Sequence, residues 1–206
     1  MTSSKNNDPH RIVSPEAKSA PVLAEVTAQA FMQLPASRFL VPDAVQREQL
    51  FPGYFLCDVE DTMRHGTAYA LANMAGVALW MPVPPEGYPA PELDPRVVAL
   101  DADLAERNLI FHKTLLERHP VGTNHHHLMI IAVKPDQQRR GGGSNMLRAH
   151  HQYLDTQGLP AYLEAASLSA RDLYRRHGYV ELGDPLTLPD GSQMHPMWRE
   201  PGDPGH

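Results

Sequence analysis

The run Ile130-Ile-Ala-Val-Lys-Pro-Asp-Gln-Gln-Arg-Arg-Gly-Gly-Gly-Ser-Asn-Met-Leu147 has the residue types of an anion site. An apolar strand leads into Val133 to Pro135, a polar turn follows, and Gly141, Gly142 and Gly143 precede a helix start at Ser144. Such a junction gathers free backbone N–H groups around one point. The helix dipole adds positive potential there, which suits a pyrophosphate. Glycines let the backbone approach the anion, and Arg139 and Arg140 add charge-assisted donors. A second group, His125-His126-His127, has metal-binding residue types but the wrong geometry. Adjacent strand residues face opposite sides, so only His125 and His127 share one. Two ligands are too few for a catalytic zinc, and no metal is expected. His127 is instead a candidate for a substrate-facing or proton-shuttling role.

Composition narrows the classes. The 206 residues suit one domain, and the net charge of −6 carries no basic footprint for nucleic acid. The lone Cys57 excludes a disulfide within the chain and argues against a cysteine zinc site. It lies far from the glycine motif and is a poor candidate nucleophile. No apolar run is long enough to span a bilayer, and the polar stretch from Met1 to Pro9 lacks the core of a signal peptide. The expectation is a cytoplasmic protein with no membrane or nucleic-acid partner. Its single domain covers 10–200, between a disordered tail at 1–9 and a C-terminal tail at 201–206.

The elements that must position these residues read as follows. His10 to Val13 fits a short strand. Ser14-Pro15-Glu16 fits a helix start, and Val22, Leu23, Val26, Ala30 and Phe31 recur at helical spacing up to a stop at Pro35. Asp43 caps a second helix with Val45, Leu50, Phe55 and Val59, which Pro52-Gly53 should break or kink. Thr67 to Ala72 and Gly76 to Met81 read as strands joined by a tight turn. The stretch from Pro82 to Pro95 holds six prolines and must be irregular, a candidate for a mobile or substrate-shaping loop. Val97 to His119 holds one or two helices. Then follow a central strand at His126 to Val133, a helix at Ser144 to Thr156 and a strand at Ala161 to Ala165. A helix at Leu168 to His177 ends at Gly178. Strands at Tyr179 to Leu182 and Gln193 to Trp198 close the sheet around a Pro189-Asp-Gly191 turn. His150 and His151 lie mid-helix and read as surface residues. Trp80, before the proline-rich loop, either lines an acceptor pocket or simply packs.

Two motifs in order carry a resemblance. Val133-x-Pro135-x-x-Gln138-x-x-Gly141-x-Gly143 resembles the Gln/Arg-x-x-Gly-x-Gly/Ala signature of the GCN5-related N-acetyltransferases (GNAT). About thirty residues on, Tyr162-Leu-Glu-Ala-Ala166 and Leu173-Tyr174-Arg-Arg-His-Gly178-Tyr179 resemble that family's second block. The likeness covers residues 125–199 well. In the first half, Ala30-Phe31, Pro35-Ala-Ser-Arg38, Leu79-Trp80-Met-Pro82 and, further on, Pro160-Ala-Tyr-Leu-Glu164 resemble the puromycin N-acetyltransferase-like branch.

The resemblance implies an α/β GNAT fold: a mixed, mostly antiparallel central sheet, helices on both faces, and a V-shaped splay between the two central strands. It implies acetyl-CoA as cosubstrate and no metal. The loop of Gln138, Arg139, Arg140, Gly141, Gly142, Gly143 and Ser144 would wrap the pyrophosphate. Ile131, Ala132 and Val133 would pair with the pantetheine arm as an added strand does, and an N–H near Ile131 would serve the oxyanion. Tyr174 takes the general-acid position, a sound donor to a departing thiolate. Glu164 would accept the amine proton directly or through water, orient the amine, or only pair with an arginine. An asparagine that many relatives carry before the tyrosine helix is absent; Ser167 or Ser169 would cap that helix and donate to the cofactor. The Arg139 position is often glycine in the family. The expected activity is acetyl transfer by direct attack of a small-molecule amine, such as an antibiotic or other secondary metabolite, by a monomer or homodimer. A protein or peptide acceptor, another acyl donor and a non-catalytic acyl-CoA-binding role stay open.

Overall fold

The structure is a computed structural model that describes Asp8 and residues 10–202. The tails expected at 1–9 and 201–206 otherwise lie outside the described residues. In chain order the elements are β1 (Ile12–Val13), α1 (Ala20–Phe31), α2 (Pro35–Leu40), α3 (Ala44–His65), β2 (Thr67–Leu71), β3 (Gly76–Val83), α4 (Pro95–Leu100), α5 (Ala102–Leu116), β4 (His125–Val133), α6 (Gly142–Gln157), β5 (Ala161–Ala165), α7 (Leu168–Arg176), β6 (Val180–Glu181), β7 (Leu186–Thr187) and β8 (Gln193–Arg199). The strands form one open sheet in the order β1-β2-β3-β4-β5-β8-β6, with β7 beside β8. Only β4 and β5 run parallel; every other pair is antiparallel. No described helix is long and apolar enough to cross a membrane.

Helices cover both faces. On one, α1 and α3 pack Leu23, Phe51, Phe55 and Val59 against Val77, Leu79, Ile130 and Ala132. On the other, Met146, Leu147 and Leu154 of α6 and Tyr174 of α7 pack against Ala78, Trp80, Leu128 and Leu163. At about 25 cal/mol per Å² of apolar surface removed from water, these two layers are the main stabilising term.

Several boundaries differ from the sequence reading. Helix α1 starts at Ala20 rather than beside Pro15, after a 3-10 turn at Ala17–Ser19, with Pro21 in its first turn. Pro35 does not end that helix; it opens α2, where its missing N–H costs nothing. Helix α3 runs unbroken through Pro52. The flanking Phe51, Tyr54 and Phe55 are buried, and their packing outweighs one lost backbone bond. Strand β3 continues through Pro82 to Val83. Asp101 divides α4 from α5 by capping Leu104 N–H at 2.8 Å. Helix α6 begins two residues before Ser144, at Gly142. The short β7 went unforeseen.

His150 and His151 are buried, not surface residues. His150 stacks on Trp80 with ring centroids 4.1 Å apart and bonds His126 Nδ1 at 3.0 Å. His151 Nε2 lies 3.0 Å from the Tyr179 hydroxyl.

Two features of β4 shape the site. A bulge interrupts the β3–β4 register where Leu79 pairs with Ile130 and Trp80 with Leu128. Met129 and Ile130 both turn to the α1/α3 face, so alternation restarts there. Second, β4 pairs with β5 only at His126↔Ala161 and His127↔Tyr162. Beyond His127 the two strands diverge, leaving a gap whose β4 side is Leu128 to Val133.

Candidate active site

The gap opens into a cavity of about 660 Å³. It gathers residues from both halves of the chain: His127 to Val133 of β4, Gln138, Glu164, Ser169 and Tyr174, together with Tyr88, Asp58, His112 and His119.

The open edge comes first. Lys134 N–H bonds back to Ala75 of the turn before β3 at 2.9 Å. Successive residues of a strand point their N–H and C=O groups in opposite directions. Val133 and Ile131 therefore direct theirs away from β3, into the gap. Gln138 Nε2 donates to Val133 O at 3.0 Å, which ties the following loop to this edge.

The loop is built for backbone exposure. Gly141 sits at φ +86 in the left-handed region, as the residue before α6, and no side chain caps that helix. By contrast Asp43, Asp94, Asp101 and Ser167 cap the starts of α3, α4, α5 and α7. No acidic residue stands in the first turn of α6. A Cβ on Gly141 would meet nothing within 4 Å, and one on Gly143 would approach only Ile131 and Leu173, at 3.8 and 3.9 Å. Gly142 is buried against Leu71, whose Cδ1 would lie 2.9 Å from an added Cβ. Arg139 also has positive φ, +61, which explains why this position suits glycine. Arg139 and Arg140 are exposed. Ser144 Oγ lies 2.9 Å from His177 Nε2. These residues fit acetyl-CoA: an uncapped, glycine-rich helix start for a pyrophosphate, beside a free strand edge for amide groups.

Several titratable side chains converge beyond that edge. Tyr174, from α7, is buried and lines the cavity. Burial pushes it well above the usual tyrosine range, so it stays a proton donor. A Tyr179 N–H bond to Tyr174 O at 3.1 Å and the left-handed Gly178, φ +85, fix the helix end below it. Ser167, not Ser169, caps α7 by accepting Ala170 N–H at 3.2 Å; Ser169 lines the cavity.

Glu164 is almost wholly buried and pairs with histidine, not arginine. His127 Nε2 donates to Glu164 Oε2 at 2.9 Å, and His127 Nδ1 lies 3.2 Å from the Tyr88 hydroxyl. The tautomer consistent with both bonds has His127 protonated on Nε2, with Nδ1 accepting from Tyr88. His125 Nδ1 donates to Thr123 O at 2.9 Å, so its Nε2 accepts from His119 Nε2 at 3.1 Å. His119 then turns Nδ1 toward Glu164 Oε1, 3.9 Å away. Burial by itself would raise the Glu164 carboxyl, but His127 and His119 outweigh it and hold it at about 2. Burial lowers His119, and its contact with Glu164 offsets this in part. The cluster can take up a proton and spread its charge over a carboxylate and two imidazoles.

The expected alternation of the histidines holds: His125 and His127 share a face with His119, while His126 turns to His150. Trp80 does not line the cavity; it is fully buried beneath α6. Tyr88 and His119 were not singled out in the sequence. Tyr88 lay within the proline-rich loop read as substrate-shaping, whereas His119 carried no signal beyond ending a helical stretch.

Comparison with known proteins gives concordant findings. Residues 118–200 match the model of the acetyltransferase (GNAT) domain family. A search of curated proteins finds no match. A structure described as histone acetyltransferase HPA2 and related acetyltransferase from Corynebacterium glutamicum is 24% identical. It covers 95% of this chain and 98% of its own, with a TM-score of 0.72. Arylalkylamine N-acetyltransferase 2 from Aedes aegypti is 11% identical over 93% of this chain and 99% of its own, with a TM-score of 0.61. The PaiA N-acetyltransferase from Thermoplasma acidophilum, solved in complex with coenzyme A, is 10% identical over 92% and 98%, with a TM-score of 0.56. The fold is that of the GNAT acetyltransferases.

Proposed function

We propose that this protein transfers an acetyl group from acetyl-CoA to the amine of a small molecule by direct attack. One observation carries the reading. A single cavity brings together the free edge of β4, the uncapped start of α6, Tyr174 and the Glu164–His127 pair.

Acetyl-CoA supplies a thioester carbonyl and a thiolate leaving group. Gln138 to Ser144 hold its phosphates, and Ile131, Ala132 and Val133 hold its amide arm. The Ile131 N–H donates to the thioester carbonyl oxygen, where negative charge grows during attack. The Tyr88–His127–Glu164 chain takes the proton from the amine: Tyr88 passes it to His127 Nδ1, and Glu164 balances the imidazolium. Tyr174 gives its proton to the departing sulfur. Holding both reactants in one cavity supplies much of the rate gain.

Tyr88, Pro89, Ala90, Pro91 and Glu92 wall one part of the cavity, which supports a small acceptor over a peptide. The likeness of the first half to puromycin N-acetyltransferases supports an antibiotic or another secondary metabolite. Calorimetric titration with acetyl-CoA, and with ATP as comparison, tests the donor half. Binding that requires the pantetheine arm is the expected result. Equal binding of ATP, or none of either, would remove acetyl-CoA from the account.

A further inference from the structure

The cavity holds a carboxylate that the proposed chemistry does not use. Asp58 lies on α3 between Phe55 and Val59, and lines the cavity beside an apolar wall that includes Phe31, Phe55 and Phe111. Among the described residues it has no hydrogen-bond or ion-pair partner. The neighbouring cation, Arg96, is already taken: its Nη1 bonds Asp61 at 2.9 Å and its Nη2 bonds Asp94 at 2.6 Å. Burial, with Asp61 adding to it, pushes the Asp58 carboxyl up to about 7. Arg96 acts in the opposite direction but does not offset the burial. Glu164 keeps His119 and His127 within ion-pair distance, whereas Asp58 has no such partner, so the two carboxylates line the cavity in separate surroundings. The described lining contains Asp58, Glu92 and Glu164 but no lysine or arginine.

A largely apolar cavity lined by separate carboxylates, with no lysine or arginine, complements a molecule that carries more than one positive charge. We propose that the acceptor carries a second cationic group across an apolar alkyl or aryl body from the reacting amine, and that Asp58 pairs with it. The inference rests on the acetyltransferase reading above and adds its substrate class. Three apolar rings give the body its contact area, while Asp58 selects the second charge. Pairing in a partly desolvated cavity is worth more than at an exposed surface. A monoamine of the same length leaves Asp58 facing hydrocarbon, a cost that discriminates against it.

The test compares matched acceptors at a pH above 7, where Asp58 is ionised. Hexylamine is set against hexamethylenediamine, and phenethylamine against its para-aminomethyl derivative. The readout is the ratio of kcat/KM within each pair, for the wild type and for Asp58→Asn. The wild type should favour the dication by about tenfold or more, equivalent to ~1.4 kcal/mol. Asp58→Asn should bring both ratios close to one, and Asp58→Glu should keep their sign. A wild-type ratio near one overturns the inference, as does an unchanged ratio in a folded Asp58→Asn protein. Should Asp58→Asn not fold, the wild-type ratio and Asp58→Glu decide. Acetyl-CoA binding without acetylation of either dication overturns the substrate class alone. Failure to bind acetyl-CoA overturns the reading beneath it.

Discussion

Tyr174 and Glu164 are both carboxy-terminal to the glycine loop, yet their surroundings hold them in opposite protonation states. Burial keeps the Tyr174 hydroxyl protonated, and two histidines keep Glu164 ionised. In the proposed mechanism the donor hydroxyl and the carboxylate that balances His127 are thereby set apart before any substrate arrives. Tyr174→Phe should lower kcat by about a hundredfold or more while changing acetyl-CoA affinity little, since the ring still packs. Steady-state kinetics beside calorimetry would check this, and unchanged turnover would remove Tyr174 as the acid. The sequence made Tyr174 legible because its offset from Gly178 is local. The histidine partners of Glu164 were not legible. His119 and Glu164 are 45 residues apart, and only the fold brings them to 3.9 Å from each other.

At the scale of elements, the β4–loop–α6 unit does most of the positioning. The three glycines each have a different reason. Gly141 needs its left-handed φ, Gly142 sits against Leu71, and Gly143 has room beside Ile131 and Leu173. Gly143→Glu should abolish acetyl-CoA binding by placing a negative charge where the phosphates belong, at modest cost to folding. A melting curve alongside the titration separates the two effects, and retained binding would make the loop assignment wrong. The sequence showed this unit almost whole, because the glycines, Pro135 and the apolar strand are local signals. It did not show the bulge at Met129, which depends on how β3 and β4 meet. The burial of α6's histidines was misread, although Met146, Leu147, His150, His151 and Leu154 recur at core spacing. Polarity argued for solvent where periodicity argued for the sheet. Pro52 was misread for a related reason: tertiary packing of α3 overrides a local helix breaker.

Among the described residues, His119, His125, His126, His127, His150 and His151 are buried. Burial lowers His150 and His151 to about 3 and His125 to about 4. Unfolded histidine titrates near 6.5. Between those values the unfolded chain binds protons that the folded chain refuses, so stability rises with pH there. The contribution is fully present above about 6.5 and is lost as pH falls toward 3. Glu164 adds a second window at lower pH: its stabilisation is present above about 4.5 and is lost as pH falls toward 2. The melting temperature should therefore fall by on the order of 5–10 °C between pH 7 and pH 5, well before most carboxylates protonate. A flat profile over that range would mean that these histidines are solvated.

The cavity unites the two halves of the chain, and the central claim concerns what happens inside it. The most direct measurement is release of the CoA thiol from acetyl-CoA, followed in time before and after an amine is added. The account predicts negligible release without amine, no stoichiometric burst, and steady release once a small amine enters. A burst of about one thiol per protein before amine addition would reveal an acyl-enzyme and contradict direct attack. No release with any amine, from a protein saturated with acetyl-CoA, would contradict the transferase itself.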